Sequence, residues 1–352
     1  MKKVILLLIS ITIFFSGGSF AQEFAKVGTA GVQFLKIGIG SRGVAMAGAY
    51  SGVCDDASSI FWNPAGLIHV ENNSVVLAHA EWLADINFDA GAYAKTVRNI
   101  GTFGISFVYL SSGDIEETTV EQQEGTGRMF NTGDFMFGVS YARQLSDKFS
   151  IGGNLKYIRE RLDDVEAWAW AIDIGTLYYT GFRSLRMGMY IRNFGPELQL
   201  EGTYLDYDNG LYLSESKEYL PFHMPMTFAV GVAYDVLEDE DKFLTVAVDL
   251  LHPNDNVEKL NFGTEFRLFN MLSLRAGYVS PFNIMGKSDE EIENRDDPDE
   301  YTLDMKNYTQ SFSTGLGFQL DINNIGDISL DYAYTDFGVL DWVHRISTSI
   351  NF

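Results

Sequence analysis

The sequence predicts an all-β fold, a 14-stranded antiparallel transmembrane β-barrel of the outer-membrane type with a small helical plug ahead of it. Three observations predict it: a two-residue hydrophobic period, links that alternate short and long, and a final strand that ends on an aromatic residue. From about residue 73 onward, large apolar residues alternate with small or polar ones. Phe103, Ile105, Phe107 and Tyr109 alternate with Gly104, Ser106 and Val108, and Trp168, Trp170, Ile172 and Ile174 alternate with Ala169, Ala171 and Asp173. The segments number about fourteen and run roughly ten residues each, the length a tilted strand needs to cross a bilayer.

A water-soluble sandwich would show the same alternation, so the links decide. Short ones fall at Val97-Asn99, Leu145-Asp147, Thr180-Arg183, Leu237-Asp241, Phe269-Asn270 and Ile322-Ile325, each after an even-numbered strand. The long ones, around 111–132, 194–226 and 281–309, follow odd-numbered strands. Bacterial barrels sort their connections this way, with short periplasmic turns, long outer loops and both ends of the barrel sheet on the periplasmic side. In the last segment Ile346, Thr348, Ile350 and Phe352 share one face, a pattern that resembles the C-terminal assembly signal of such barrels.

Ahead of the barrel, Lys2 and Lys3 precede the apolar run Val4 to Phe15 and then Ser19-Phe20-Ala21. The run is shorter than the roughly 17 to 25 residues of a membrane helix, which makes 1–21 a signal peptide for Sec-type export and Gln22 the first mature residue. Residues 22–72 are then the plug segment and 73–352 the barrel. The formal charge of −23 argues against nucleic acid or anionic lipid headgroups as partners, and outer-membrane lipid is expected around the wall. The single cysteine, Cys54, cannot form an internal disulfide and reads as a small buried residue.

Inward faces are rich in Gly, Ala and Ser, with scattered charges at Lys156, Asp173, Glu265, Arg267, Arg275 and Asp331. Such a lining leaves room for a plug rather than a wide aqueous pore. The plug segment holds the most distinctive stretch, Gly38 to Leu67. It contains Gly38-x-Gly40-x-x-Gly43, a pattern of dinucleotide-binding turns, but no βαβ unit surrounds it, so the glycines are assigned to turns and close packing and no cofactor is expected. Ser41 is expected to cap a helix through Val44–Ala49, and Asp55 or Asp56 one over Ala57–Phe61 that ends at Asn63-Pro64. Asp55 and Asp56 could alternatively hold a cation, although the further oxygen ligands such a site needs are not identifiable. No metal site and no catalytic set emerges: the five histidines are scattered, and Ser214-Glu215-Ser216-Lys217 matches an S-x-x-K pattern without its companion motifs. The acidic stretch Asp289–Glu300 reads as a solvated loop, or as a weak cation or partner site.

Phe34-Leu35-Lys36-Ile37-Gly38, Gly40-Ser41-Arg42, Met46-Ala47-Gly48-Ala49-Tyr50, Asp55-Asp56-Ala57 and Trp62-Asn63-Pro64-Ala65-Gly66-Leu67 together resemble the N-terminal signature of the PorV/PorQ family, a branch of the FadL-like outer-membrane proteins. Two mild departures are Ala47, where the family usually has Gly, and Phe61, where it has Tyr. The resemblance implies a non-enzymatic fourteen-stranded barrel whose N-terminal segment enters or caps the lumen. It also implies a secretion-system or surface-protein partner, since characterised relatives serve type IX secretion. The competing expectation is a FadL-type channel with a hydrophobic ligand, such as a long-chain fatty acid, in its lumen. For a protein partner, Tyr204, Tyr207, Tyr212, Tyr219, Phe222 and Tyr301 in the outer loops offer contact area with polar tips. The same residues could instead form an aromatic girdle at the membrane boundary.

Overall fold

A computed structural model describes residues 28–120, 122–208, 211–281, 311–322 and 326–352. The expected signal peptide at 1–21, the acidic stretch Asp289–Glu300 and Tyr301 lie outside these residues.

The strands are β1 (Asn73–Glu81), β2 (Asn87–Val97), β3 (Gly101–Ser111), β4 (Ile115–Glu116), β5 (Met129–Phe130), β6 (Thr132–Ser146), β7 (Phe149–Leu162), β8 (Val165–Tyr179) and β9 (Arg186–Phe194). They continue with β10 (Thr203–Asp208), β11 (Leu211–Glu218), β12 (Thr227–Glu238), β13 (Lys242–Pro253), β14 (Lys259–Leu268), β15 (Leu272–Pro281), β16 (Phe312–Ile322), β17 (Gly326–Asp336) and β18 (Trp342–Asn351). Fourteen of them close into one antiparallel barrel in the order β1-β18-β17-β16-β15-β14-β13-β12-β9-β8-β7-β6-β3-β2. The seam pairs the first strand with the last, from Ser74↔Asn351 to Glu81↔His344. The Asn73 and Phe352 backbones exchange hydrogen bonds of 3.0 Å in both directions at its foot.

Which face is apolar separates this barrel from a soluble one. On β3 the large residues point out, Phe103 at 45% and Tyr109 at 47% exposed, while Thr102, Ser106 and Val108 are buried. On β8, Trp168 and Trp170 point out over buried Ala167, Ala169 and Ala171. So extensive an outward apolar band fits hydrocarbon rather than water, and a closed sheet leaves no unpaired edge within it. No helix of the described residues is long and apolar enough to cross a membrane.

The links sort as expected, with two additions. The long loops after β3 and β9 each carry a two-stranded hairpin, β4–β5 and β10–β11. The link between β7 and β8 is a two-residue turn, Asp163-Asp164, because both strands continue to Leu162↔Val165 with Asp163 at φ 55°. The short-turn end holds the start of β1 and the end of β18. The segment ahead of β1 nevertheless begins at the opposite end, where the Gly28 N–H donates to Asp255 O (3.3 Å) and Lys36 pairs with Asp255 at 3.0 Å between β13 and β14. It then runs down the lumen to Asn73.

Inside, the wall is pared to glycine where this segment touches it. A methyl group at Gly104 would meet Ile60, at Gly152 the Pro64–Ala65 backbone, at Gly175 Asn63, at Gly188 Ser51, at Gly277 the Met46–Ala47 backbone, and at Gly315 Ala45. These glycines come from six strands around the barrel, so the seat encircles the plug. Gly152 and Gly153 provide a paired test on β7. Gly152→Val is expected to lower stability by about 1–3 kcal/mol through overpacking. At Gly153 an added methyl would find its nearest neighbour, Asp173 O, 3.7 Å away, and Gly153→Val is expected to stay within about 0.5 kcal/mol of the wild type. Urea-unfolding midpoints of the purified, heat-modifiable barrel check the contrast.

Candidate functional site

The residues singled out in the plug converge on one side chain, Trp62. A methyl added at Gly38, Gly43 or Gly48 would lie 3.2, 2.8 or 3.2 Å from its indole ring, so these glycines form the bed on which the ring lies. Gly40, at φ 84°, makes the turn between them. The Trp62 indole N–H donates to Ile39 O at 2.8 Å, and the Tyr50 ring meets it edge-on with centroids 5.8 Å apart. Arg192 of β9 lies 5.6 Å from the same ring and donates to Phe61 O at 2.7 Å.

Asn63 is wholly buried and ties three segments together. Its amide N–H groups donate to Ser51 O (2.8 Å) in the plug and Thr176 O (3.0 Å) in the wall, while its Oδ1 accepts from Ala65 N–H (3.2 Å). That last bond caps the 3-10 turn Pro64–His69, and Asn63 itself is extended (φ −136°, ψ 103°), as a residue before proline prefers. Pro64 lies on Gly152, Ala65 is fully buried, and Gly66 packs on the Cys54 carbonyl and thiol. The helices are shorter than expected. Ser41 is the first residue of the Ser41–Ala45 helix, not its cap; Gly40 holds that position, and the Ser41 backbone N–H is satisfied by Ser347 Oγ at 2.9 Å. That helix stops at Ala45 because Ala47 (φ 54°) and Gly48 (φ 76°) turn left-handed. The second helix is Ser59–Trp62 with Ser58 at its N-cap and no side-chain capping bond, so neither Asp55 nor Asp56 caps it; Asp56 accepts from Ser58 N–H (2.8 Å) in the turn ahead.

Asp55 instead faces Arg42, which forms an ion pair with it and with Glu265 of β14, the latter at 2.9 Å. Glu265 continues to Arg275 (2.7 Å), and Arg275 to Asp331 (2.5 Å), so a charge ladder runs from the plug across β14, β15 and β17. The ladder faces a polar cavity of ≈440 Å³ that also meets His69, Asp327 and Asn351 at the short-turn end. Among the described residues no group of three or more His, Cys, Asp or Glu side chains could hold a metal ion. Burial, with Asp55 beside it, pushes the Asp56 carboxyl above its ordinary range. Burial likewise pushes the Cys54 thiol up to about 12.

The loop residues part company. Tyr204 in β10 and Tyr219 just after β11 meet as a tilted pair with centroids 5.2 Å apart, while Tyr207 and Tyr212 are register partners within the same hairpin. Phe222 turns away from that hairpin and lies over Gly31 of the N-terminal segment, next to the bridge Ala30↔His223. Sequence reasoning took 194–226 as loop, although Asn209-Gly210 between two Tyr-containing segments is a hairpin signal. It also missed Asp249, whose Oδ2 accepts from the Tyr50 and Ser51 N–H groups (3.2 and 2.9 Å).

A closed fourteen-stranded barrel with a helical N-terminal segment threaded through its lumen is the architecture of the FadL-like outer-membrane proteins. Residues 20–254 match the family described as "Type IX secretion system protein PorV", and the chain belongs to that family. Among solved structures it resembles a Pseudomonas aeruginosa FadL homologue (TM-score 0.57, 13% identity, 89% of this chain and 98% of that one). It also resembles the Pseudomonas putida toluene transporter TodX (0.56, 13%, 89% and 98%) and the Ralstonia pickettii toluene transporter TbuX (0.55, 12%, 89% and 97%). At these identities the likeness is one of fold. No curated protein matches the chain.

Two outcomes follow from the plug geometry. Arg42→Met leaves Glu265 with Arg275 alone and is expected to destabilise by about 1–3 kcal/mol, with Glu265→Gln in the same chain restoring part of the loss. Unfolding midpoints measure it, and hydrogen exchange over 40–67 should rise selectively. Cys54, fully enclosed and with its thiol held at about 12, should resist maleimide labelling at pH 7.5 until denaturant opens the barrel.

Proposed function

We propose that the chain is a non-enzymatic component of type IX protein secretion or surface attachment, a permanently plugged barrel that offers its long-loop face to a protein partner. The observation that carries this reading is the way the plug is held. It is tied to the wall by Arg42, Asn63, Ser41 and backbone groups facing Asp249, Arg186 and Arg192, and it is seated on glycines from six strands. The cavities at the two ends share no lining residue. A transporter must move its plug or open a path beside it, and each of these contacts opposes that. With short turns on the periplasmic side, the β4–β5 and β10–β11 hairpins face outward, where Tyr204 and Tyr219 present a tilted aromatic pair suited to protein contact.

Channel function for hydrophobic molecules is the second reading, favoured by one feature, an amphipathic cavity of ≈560 Å³ at the long-loop end. Deleting 203–218 separates the two. The shortened chain is expected to assemble as a heat-modifiable barrel yet fail to release or attach cargo bearing the type IX C-terminal signal domain at the cell surface. Normal cargo delivery by the shortened chain, together with uptake of a long-chain fatty acid into liposomes holding the intact one, would replace secretion with transport. Orientation is checked with Cys54→Ser, Ser216→Cys, whose new thiol should label on intact cells.

A further inference from the structure

The cavity of ≈560 Å³ at the long-loop end lies within the usual range of small-molecule sites, about 300–1,000 Å³. Its walls are apolar where Phe34, Ile37, Trp82, Leu110, Phe337 and Leu340 meet, and five ionisable side chains interrupt them. One of the five, Lys36, is already matched by Asp255. The other four are not matched to one another. Arg345 is 4% exposed; its Nη1 donates to Thr335 at 2.9 Å, its guanidinium lies 5.0 Å from the Trp82 ring, and its Nε is buried without a partner. Neither Arg345 nor Lys259 has a carboxylate in ion-pair reach among the described residues. Asp134 and Glu160 are cross-strand partners on β6 and β7, and Asp134 Oδ1 is buried without a hydrogen bond.

These two cations and two carboxylates stand on different walls. From β7 to β14 the closed ring passes through β8, β9, β12 and β13, and from β6 to β18 it passes through β3, β2 and β1. Arg345 is buried, while Lys259, Asp134 and Glu160 are half-buried and Glu160 accepts from the Val32 backbone N–H; desolvating such a charge without an opposite partner is costly. The Asp134–Glu160 pair on one side and Arg345 across an aromatic floor would be neutralised together by one molecule carrying both charges, with Lys259 on a further wall, three strands intervening between β14 and β18. A fatty acid would answer only the cations, and a hydrocarbon neither set.

We propose that this cavity binds a small zwitterion with an apolar body, of the kind an uncapped short apolar peptide presents. Its carboxylate meets Arg345, its ammonium meets Asp134 and Glu160, and its side chains lie on Phe34, Trp82 and Phe337. The site is independent of whether the barrel serves secretion or transport.

Calorimetric titration of the full-length protein in nanodiscs tests this, with phenylalanyl-leucyl-phenylalanine as the probe. N-acetylated and C-amidated forms of the tripeptide, palmitate and dodecylammonium serve as comparisons. The free tripeptide should bind, and each cap should weaken it by about tenfold or more, the scale of one buried charge-assisted hydrogen bond. Asp134→Asn should erase the penalty for the acetyl cap and leave that for the amide, and Arg345→Met should do the reverse. Equal binding of capped and free peptide by the wild-type protein would overturn the proposal, as would no binding of the free form. Palmitate bound more tightly than the tripeptide, with no change on Asp134→Asn, would overturn it in favour of an anionic amphiphile. The capped probes act on the wild-type chain, so the test survives a variant that fails to assemble.

Discussion

A ring of fourteen strands is wider than its own inward side chains can fill; about eight strands is the size at which they just suffice. A barrel of this width must therefore carry water or a second body inside. Here the second body is the segment ahead of β1, and the wall is cut to fit it. Glycines on six strands lie under the plug because close backbone contact on all sides requires removing side chains from the wall, whereas the outward face keeps its large apolar residues. The composition of the lumen, the shape of the plug and the placement of buried charge all follow from that single mismatch of width and filling.

Charge is handled in the same economy of space. Lys156 and Asp173 face each other at 2.6 Å inside the wall, where Asp173 Oδ1 also accepts from Asn193 N–H (2.7 Å) at the register shift between β8 and β9. The carboxylate substitutes for the missing ladder partner, so the irregular strand leaves no orphaned amide there. Arg42 performs a comparable service for the plug, neutralising the Asp55 and Glu265 carboxylates on the two bodies it joins. Neither arrangement is expected to add large net stability over an apolar equivalent, but removing one member of either would leave a charge stranded.

The barrel was legible in the sequence because its signals are local. A two-residue period, the sorting of links by length and the terminal Phe352 are all carried by neighbouring residues, and each expected barrel strand lies within a few residues of its observed bounds. The alternating runs Phe103–Tyr109 and Trp168–Ile174, for example, fall inside β3 and β8. The plug was legible as a motif but not as a geometry. That Gly38, Gly43 and Gly48 would lie under Trp62, or that Ser41 would find its partner in Ser347, depends on contacts between segments far apart in the chain, which no period encodes. The helix ends were misplaced for the same reason: local capping chemistry favoured Ser41, and the turn forced by Ala47 and Gly48 overrode it. Phe222 illustrates the loops. It counted as a surface aromatic from composition, yet packing against Gly31 draws it toward the N-terminal segment.

The path of that N-terminal segment bears on how the molecule is made. It descends the lumen from the Gly28–Asp255 contact to the foot of β1, and the ring shuts only where 73–81 meets 342–351, the two extremes of the sheet. The ring is therefore completed by contact between the first and last strands of the sheet, with the plug held between them. A segment seated on glycines of six strands is more readily enclosed by a closing wall than pushed as a stopper into a finished tube.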